Sequence, residues 1–353
     1  MLMTPGPTAV PEPVRAAMSE ELINPDVDPR FQDVYRDVVD DLSAIYGVAG
    51  VDTHDVVVPG GEGILGLEAA IASLVEPGTE VVCLSNGLYG DGFADFVEGY
   101  GGDATLVTTD PDGPLPLDEL EATLNDGTFA LATMVHCETP TGTLNDLGRA
   151  LDLFEEHNVL TVVDAVSSLG GVPVPTDRID VCLGASQKCF SAPPGLTTAA
   201  ISERAWEAME ERAARSLYTN FLPWRDTEDG FPYTHLTSNV VALRTALALV
   251  RDEGIDETYA RHEEVAAYCR SRADEIGVPL YPDPKRSSPT VTALHVPGEA
   301  KALQEQIRAE HDIILATGLG DGADDILRIG HMGHAARRER VARTMDAIDA
   351  VIE

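Results

Sequence analysis

Lysine is nearly absent from this chain. Three occur in 353 residues, Lys188, Lys285 and Lys301. Basic charge as a whole is scarce, 24 Lys and Arg against 60 Asp and Glu, for a net charge of −36. A basic face for phosphate backbones is therefore missing, and nucleic acid is excluded as an expected partner. No uninterrupted apolar run approaches the ~18 residues of a membrane span, so none is expected. The opening MLMTPGPTAVPEPV has neither a basic region nor an apolar stretch of the kind a signal peptide needs. The five cysteines (Cys83, Cys137, Cys182, Cys189, Cys269) are odd in number and lack framework spacing. Free thiols in a reducing cytoplasm fit that pattern.

The acids run along the whole chain rather than forming a tail. Such a charge repels itself at low salt, whereas at about 1 M salt the Debye length falls to about 3 Å. The expectation is a solvated acidic surface on a cytoplasmic protein of a high-salt organism. An acidic disordered chain is the competing reading. The apolar content of 44% and the regular apolar segments argue against it.

Short apolar runs alternate with helix-length segments through the first two-thirds of the chain. Strands are expected at 55–59, 80–85, 104–109, 129–136, 159–164, 179–185 and 196–202. Several are uniformly apolar and valine-rich, as strands buried on both faces must be. Helices are expected between them at 64–75, 90–100, 117–125 and 145–157. The alternation predicts an α/β domain with a mostly parallel sheet. After residue 204 the rhythm changes: helices at 203–214, 238–253 and 255–276, strands at 290–296 and 324–330, and a final helix at about 333–352. The expected organisation is a large α/β domain over 15–240 and a smaller α+β domain over 241–353, with residues 1–14 packing near the latter.

Four features carry chemistry. In VVVPGGEGILGLEAAIASL (56–74) a strand runs through glycines into a helix, and Gly61, Gly63 and Gly66 match G-x-G-x-x-G. Exposed N–H groups at a helix start suit an anion. A dinucleotide site would also need an acid at the end of the next strand, which here reads CLSNG. A tight turn that binds nothing is the bland alternative. Asp164 ends the run VLTVVD, at the sheet edge where α/β proteins bind ligands, though a helix-capping aspartate would look the same. His136 and Glu138 echo a zinc deaminase motif whose P-C-x-x-C half is missing. His331 and His334 lack a third ligand, so no metal is expected. Lys188 stands in LGASQKCFSAPPG, between a strand and a Pro-Gly turn. Together, a Schiff-base lysine, a strand-end acid and a phosphate-ready turn form the set that pyridoxal phosphate needs. Lys285, in a Pro-rich polar loop, and Lys301, after PGEA, read as surface residues.

In order and nearly end to end, TPGPTAVPEPVRAAM, GEGILGLEAAIASLVEPG, SNGLYGDGFAD, HCETPTG, DAVSSLGG, SQKCFSAPPGL, SPTVTAL and RIGHMG resemble class V aminotransferases of the serine–pyruvate and alanine–glyoxylate type. The resemblance implies the aspartate-aminotransferase-like fold, pyridoxal 5'-phosphate, and a homodimer with shared active sites. By motif, Lys188 would form the Schiff base and Asp164 would pair with the pyridinium nitrogen. Tyr89 would stack on the ring, with Thr139 and Val166 flanking it. Glu62, Gly63, Ile64 and Gln187 would line the phosphate end, and Thr234 would reach the partner subunit's phosphate. Arg328 would grip the substrate carboxylate with its planar fork. The implied reaction moves an amino group from alanine or serine to glyoxylate or pyruvate.

Two positions depart from the family's pattern. Glu62 replaces a small hydroxyl residue at the phosphate end, where a carboxylate is unfavourable unless it turns away or bonds a donor. Asp26, in LINPDVDPRF, replaces the usual His near the substrate entrance. A lyase, desulfurase or phosphonate transaminase of the same fold stays open, as does a nicotinamide-dependent oxidoreductase using the glycine turn. A non-catalytic relative would not need Lys188, Asp164 and Arg328 together.

Overall fold

The computed structural model describes residues 1–213 and 216–352. In chain order the strands are β1 (His54–Val57), β2 (Glu80–Ser85), β3 (Asp103–Thr108), β4 (Leu131–Val135), β5 (Cys137–Glu138), β6 (Thr143–Leu144), β7 (Leu160–Asp164), β8 (Val181–Ala185) and β9 (Thr197–Ser202), then β10 (Val291–His295), β11 (Ala316–Thr317) and β12 (Ile326–Gly330). Seven of them form one sheet in the order β1-β9-β8-β7-β4-β2-β3. Neighbours from β8 to β3 run parallel, and β9 is antiparallel to β8 and β1. All seven expected strands of this part of the chain are present. Every residue of β4 and β8 is buried, which explains their uniform apolarity: helices cover both faces of a parallel sheet.

The crossovers are the helices Gly63–Leu74, Leu88–Gly99, Leu117–Asp126 and Gly148–Glu156. Strand order reverses between β2 and β4, because the chain runs β2 to β3 on one side and returns to β4 on the other. Loops after β2, β4, β7 and β8 therefore converge above the crevice where α/β sheets take ligands. Register places Asp164 opposite Val135 of β4 and Leu183 of β8.

One hydrophobic core runs from Val14 to Val250, and a second gathers residues from Val265 to Ile348 together with Met3. The expected division at residue 240 falls inside the helix Thr237–Glu253, whose Val240, Leu243, Leu247 and Val250 pack in the first core. The second core lies under the antiparallel sheet β10-β12-β11. The chain start links the two: the Met3 amide donates to Ile314 O at 2.9 Å, and the Thr8 amide to Gln187 O at 3.0 Å.

Three helices lie where none is predicted, Glu12–Ala17, Pro29–Tyr46 and Ala300–His311. The last helix starts at Arg338 rather than near 333, because Gly333–Ala335 forms a 3-10 turn with Gly333 at φ +58. Glu203–Glu210 is likewise shorter than the expected 203–214. No helix among the described residues is long and apolar enough to cross a membrane.

Candidate active site

A cavity of about 260 Å³ opens above the strand ends, lined by Tyr89, Asp164, Val166, Lys188, Glu62 and Gln187 among others. Nine of the eleven expected site residues border it; Gly63, Ile64 and Thr139 complete the nine. A larger cavity of about 440 Å³ lies on the other side of the Lys188 loop, against Cys189, Arg261 and Arg337. It contains neither Lys188 nor Asp164.

Asp164 is 6% exposed, and its Oδ1 accepts the Val166 amide at 2.8 Å. Burial pushes its carboxyl up to about 6, against the opposing pull of that amide and of Lys188. Lys188 follows β8 by three residues. Its Nζ donates to Pro5 O at 2.9 Å, and its chain runs so close to Gly6 that a Cβ there would lie 2.6 Å from it. Burial depresses the amine from its ordinary value, and Asp164 partly opposes this. Burial thus disfavours the charged form of both the acid and the amine.

Tyr89 starts the helix Leu88–Gly99, and Glu138 anchors that helix from below. Glu138 is fully buried, and its two oxygens accept the Gly90 amide at 2.7 Å and the Tyr89 amide at 3.3 Å. Burial pushes its carboxyl up to about 7. The Thr139 and Ser167 hydroxyls bond each other across the cavity wall.

Arg328 is 6% exposed. Its Nη1 donates to Thr139 O at 3.1 Å and its Nε to Thr317 O at 2.6 Å. No carboxylate lies in ion-pair range of it among the described residues. Burial pushes the guanidinium down to about 10, which leaves it charged at neutral pH. Thr234 does not border the cavity of its own chain; its Oγ1 donates to Asp26 Oδ2 at 2.9 Å on the surface. The two positions are thus partners. His136 bonds Ser168 and is pushed down to about 4 by burial, and His331 bonds Thr292 and Pro289 O. Neither borders the cavity.

Gly6, Pro7 and Ser167 also line it. They fall within the TPGP and DAVSS motifs, where nothing local marks a pocket residue. Glu138 carries no sequence signal of this anchoring role.

The class V aminotransferase model matches residues 2–335. The chain belongs to the class V aminotransferases. Pyridoxamine–pyruvate transaminase of Mesorhizobium japonicum is 33% identical over 95% of this chain and 87% of its own. Alanine–glyoxylate aminotransferase of Oryctolagus cuniculus is 31% identical over all of this chain and 92% of its own. Among solved structures, alanine–glyoxylate aminotransferase of a Nostoc species superposes with a TM-score of 0.94 at 29% identity, covering 100% of this chain and 95% of that one. The protein is an aminotransferase, transferring amino groups between amino and oxo acids, with the fold of the pyridoxal-phosphate enzymes of this type.

This aminotransferase fits the family's cofactor at one end only. A flat ring placed in the cavity would meet an aromatic side chain, an aliphatic one, a buried acid and a half-buried amine, Tyr89, Val166, Asp164 and Lys188. At the other end Glu62 caps the helix Gly63–Leu74. Its Oε1 accepts the Ile64 amide at 3.3 Å and its Oε2 accepts Gln187 Nε2 at 3.1 Å. The carboxylate thus bonds donors rather than turning away, and the donors it takes are those an incoming phosphate would want. Two unit charges of like sign 4 Å apart repel by about 4 kcal/mol at an effective dielectric of 20, an upper bound for a side chain that reaches solvent as Glu62 does.

Proposed function

We propose that this aminotransferase moves the amino group of a small L-amino acid, alanine or serine, onto a small 2-oxo acid, glyoxylate or pyruvate. One observation carries the reading: a half-buried lysine, in a chain with three, shares a pocket with a buried strand-end aspartate. The named activities of the rabbit and Nostoc relatives support the substrate class.

A pyridoxal ring, when bound, supplies an electron-poor system that absorbs negative charge from the substrate α-carbon. The Asp164 carboxylate holds the proton on the ring nitrogen. A carboxylate about 4 Å from a cation is worth roughly 4 kcal/mol at a dielectric of 20, or about three pKa units. That outweighs the rise to about 6 at Asp164, so a bound ring would hold the carboxyl in its ionised form. Lys188 would be the nucleophile toward the ring's carbonyl; burial depresses its amine and so favours the neutral, nucleophilic form. Its Nζ would be the base that holds and moves a proton between the substrate α-carbon and the ring's exocyclic carbon. Tyr89 and Val166 would hold the ring by packing, with Thr139 beside them. Gly63 lets the helix start pack closely on Val166: a Cβ there would sit 3.2 Å from it. Arg328 holds the substrate carboxylate, which supplies the counter-charge its burial lacks.

The assembly belonging to this reading is a homodimer with shared sites. Thr234 and Asp26 face the neighbouring subunit's pocket, and Ile64, Leu88 and Leu236, all exposed in one chain, are covered by the partner. The cellular setting is a salt-rich cytoplasm. The deciding experiment is a visible spectrum of the protein in high salt with the ring bound, before and after L-alanine, L-serine, L-aspartate and L-glutamate are added singly. Bleaching by alanine or serine establishes the donor. A band that no amino acid bleaches overturns the assignment.

A further inference from the structure

We propose that this site takes its pyridoxal ring without a phosphate: pyridoxal and pyridoxamine enter as exchangeable substrates, and their 5'-hydroxymethyl group docks on Glu62 and Gln187. The inference rests on the transamination reading, because it concerns the same ring and the same Lys188.

The argument is one of donors and acceptors. A phosphate group at neutral pH carries nearly two negative charges and, as a dianion, only accepts hydrogen bonds. Its pocket must therefore offer donors. Here the Ile64 amide and the Gln187 amide nitrogen already serve Glu62. A carboxylate also neutralises the positive end of the Gly63–Leu74 helix that would otherwise favour an anion. Ile64 adds an apolar side chain, not a hydroxyl. Among the described residues that line the pocket, Lys188 is the only cation, and it is committed to the ring.

What this end offers instead is acceptors. Because Glu62 takes the Gln187 NH2, the amide's orientation is set and its Oε1 faces away from that bond. This oxygen is buried with no partner, in a residue 5% exposed that lines the cavity. Buried acceptors left unmatched are rare and costly. A hydroxymethyl O–H is a donor, small and uncharged, and it satisfies Gln187 Oε1 or a Glu62 oxygen directly. The same group needs no counter-charge.

Without a phosphate the ring is held by packing, by Asp164 and by the bond to Lys188. It can therefore leave between turnovers. In the balanced reaction pyridoxamine gives its amine to a 2-oxo acid and ends as the aldehyde pyridoxal. The exocyclic carbon of the ring is oxidised by two electrons and the acid's α-carbon is reduced by the same two. Lys188 moves the proton between them, and the keto oxygen is exchanged through water for the aldehyde oxygen. No outside oxidant is required.

The test uses the full chain in high salt, freed of ring by dialysis against hydroxylamine and returned to buffer. Visible titration compares pyridoxal with pyridoxal 5'-phosphate on the wild type, on Glu62→Ser, which keeps a helix cap, and on Glu62→Gln, which keeps the shape and removes the charge. A coupled assay follows pyridoxal formed from pyridoxamine and pyruvate. The wild type is expected to bind pyridoxal at least tenfold tighter than its phosphate, to lose it on gel filtration, and to turn over pyridoxamine. Glu62→Ser and Glu62→Gln are each expected to improve phosphate-ester binding at least tenfold relative to pyridoxal. Tighter binding of the phosphate ester by the wild type, or an unchanged preference in both variants, overturns the proposal and leaves the transaminase reading standing. A wild type that forms a band with neither compound overturns both.

Discussion

The Gly90 amide donates to the Glu138 carboxylate at 2.7 Å, entirely out of solvent, and that contact sets where Tyr89 stands. Gly87 is required beside it, because a Cβ there would lie 2.6 Å from the Glu138 side chain. Replacing Glu138 by Ala strands two buried N–H groups. Each costs roughly 1–3 kcal/mol when left unmatched. Glu138→Ala is therefore expected to lower unfolding free energy by about 2–4 kcal/mol and to weaken ring binding. Glu138→Gln, which keeps one acceptor oxygen and drops a carboxyl that resists burial, should lose less than half as much. Urea unfolding in high salt checks both; equal losses would mean that the two amides find other partners.

Which parts of this were legible in the sequence follows from burial. Strands β4, β7 and β8 announce themselves because both faces are covered and apolar residues dominate them, with only Thr133, Thr161 and the terminal Asp164 polar. Asp164 and Lys188 stand out because a charge at the end of such a strand, and a lysine in a chain that avoids lysine, each need a reason. The helix Pro29–Tyr46 went unread although Asp28 caps it, Pro29 opens it and Gly47 closes it at φ 75. Its apolar stripe, Phe31, Val34, Tyr35, Val38, Leu42 and Ile45, is spaced correctly but is cut by aspartates that face solvent. In so acidic a chain, acidity no longer marks loops. Glu138 was hidden for the same reason: among 60 acids nothing local separates one that is buried from those that are not. The Glu62 departure was visible, but its consequence was not, because Gln187 lies 125 residues away.

The Asp164 carboxyl gives a pH signature in the ring-free protein. Its value in the folded state is raised from 3.8 to about 6 by burial. Between those values the folded state keeps a proton that the unfolded chain has released, so stability falls as pH rises through the window and levels off above it. At 1.36 kcal/mol per unit the whole effect is about 3 kcal/mol. Asp164→Asn removes it while retaining an oxygen for the Val166 amide. The variant should therefore gain on the parent as pH rises from 4.5 to 7, with Glu138 cancelling in the comparison. Urea midpoints at the two pH values decide the matter, and a constant difference would place the titration elsewhere.

Salt should stabilise this protein, despite its many ion pairs. Pairs such as Arg251–Asp41 and Arg225–Glu203 are at least partly exposed and lose strength as ions screen them. Yet 24 basic residues can at most match 24 of 60 acids, which leaves 36 negative charges repelling one another. The repulsion outnumbers the pairing. The melting temperature is expected to climb from 0.1 M potassium chloride toward about 1 M, where the Debye length is about 3 Å, and then to flatten. A melting temperature independent of salt over that range would show that the acidic surface is not a salt adaptation.

Arg328 provides the sharpest functional prediction, because its geometry separates binding from chemistry. Its guanidinium is held by Thr139 O and Thr317 O, so it is fixed before a substrate arrives. A carboxylate then gains a charge-assisted bond without ordering a new side chain, worth roughly 1.5–3 kcal/mol. Arg328→Lys keeps the charge but cannot reproduce the fork, nor reach both carbonyls at once. At 1.4 kcal/mol per decade, KM for amino and oxo acids is expected to rise roughly tenfold to a hundredfold while kcat changes severalfold at most. The control is an amine with no carboxylate, whose slow reaction with the bound ring Arg328→Lys should leave unaltered. If that reaction slows as much as the reaction with alanine, Arg328 is shaping the pocket through Thr139 rather than holding the substrate.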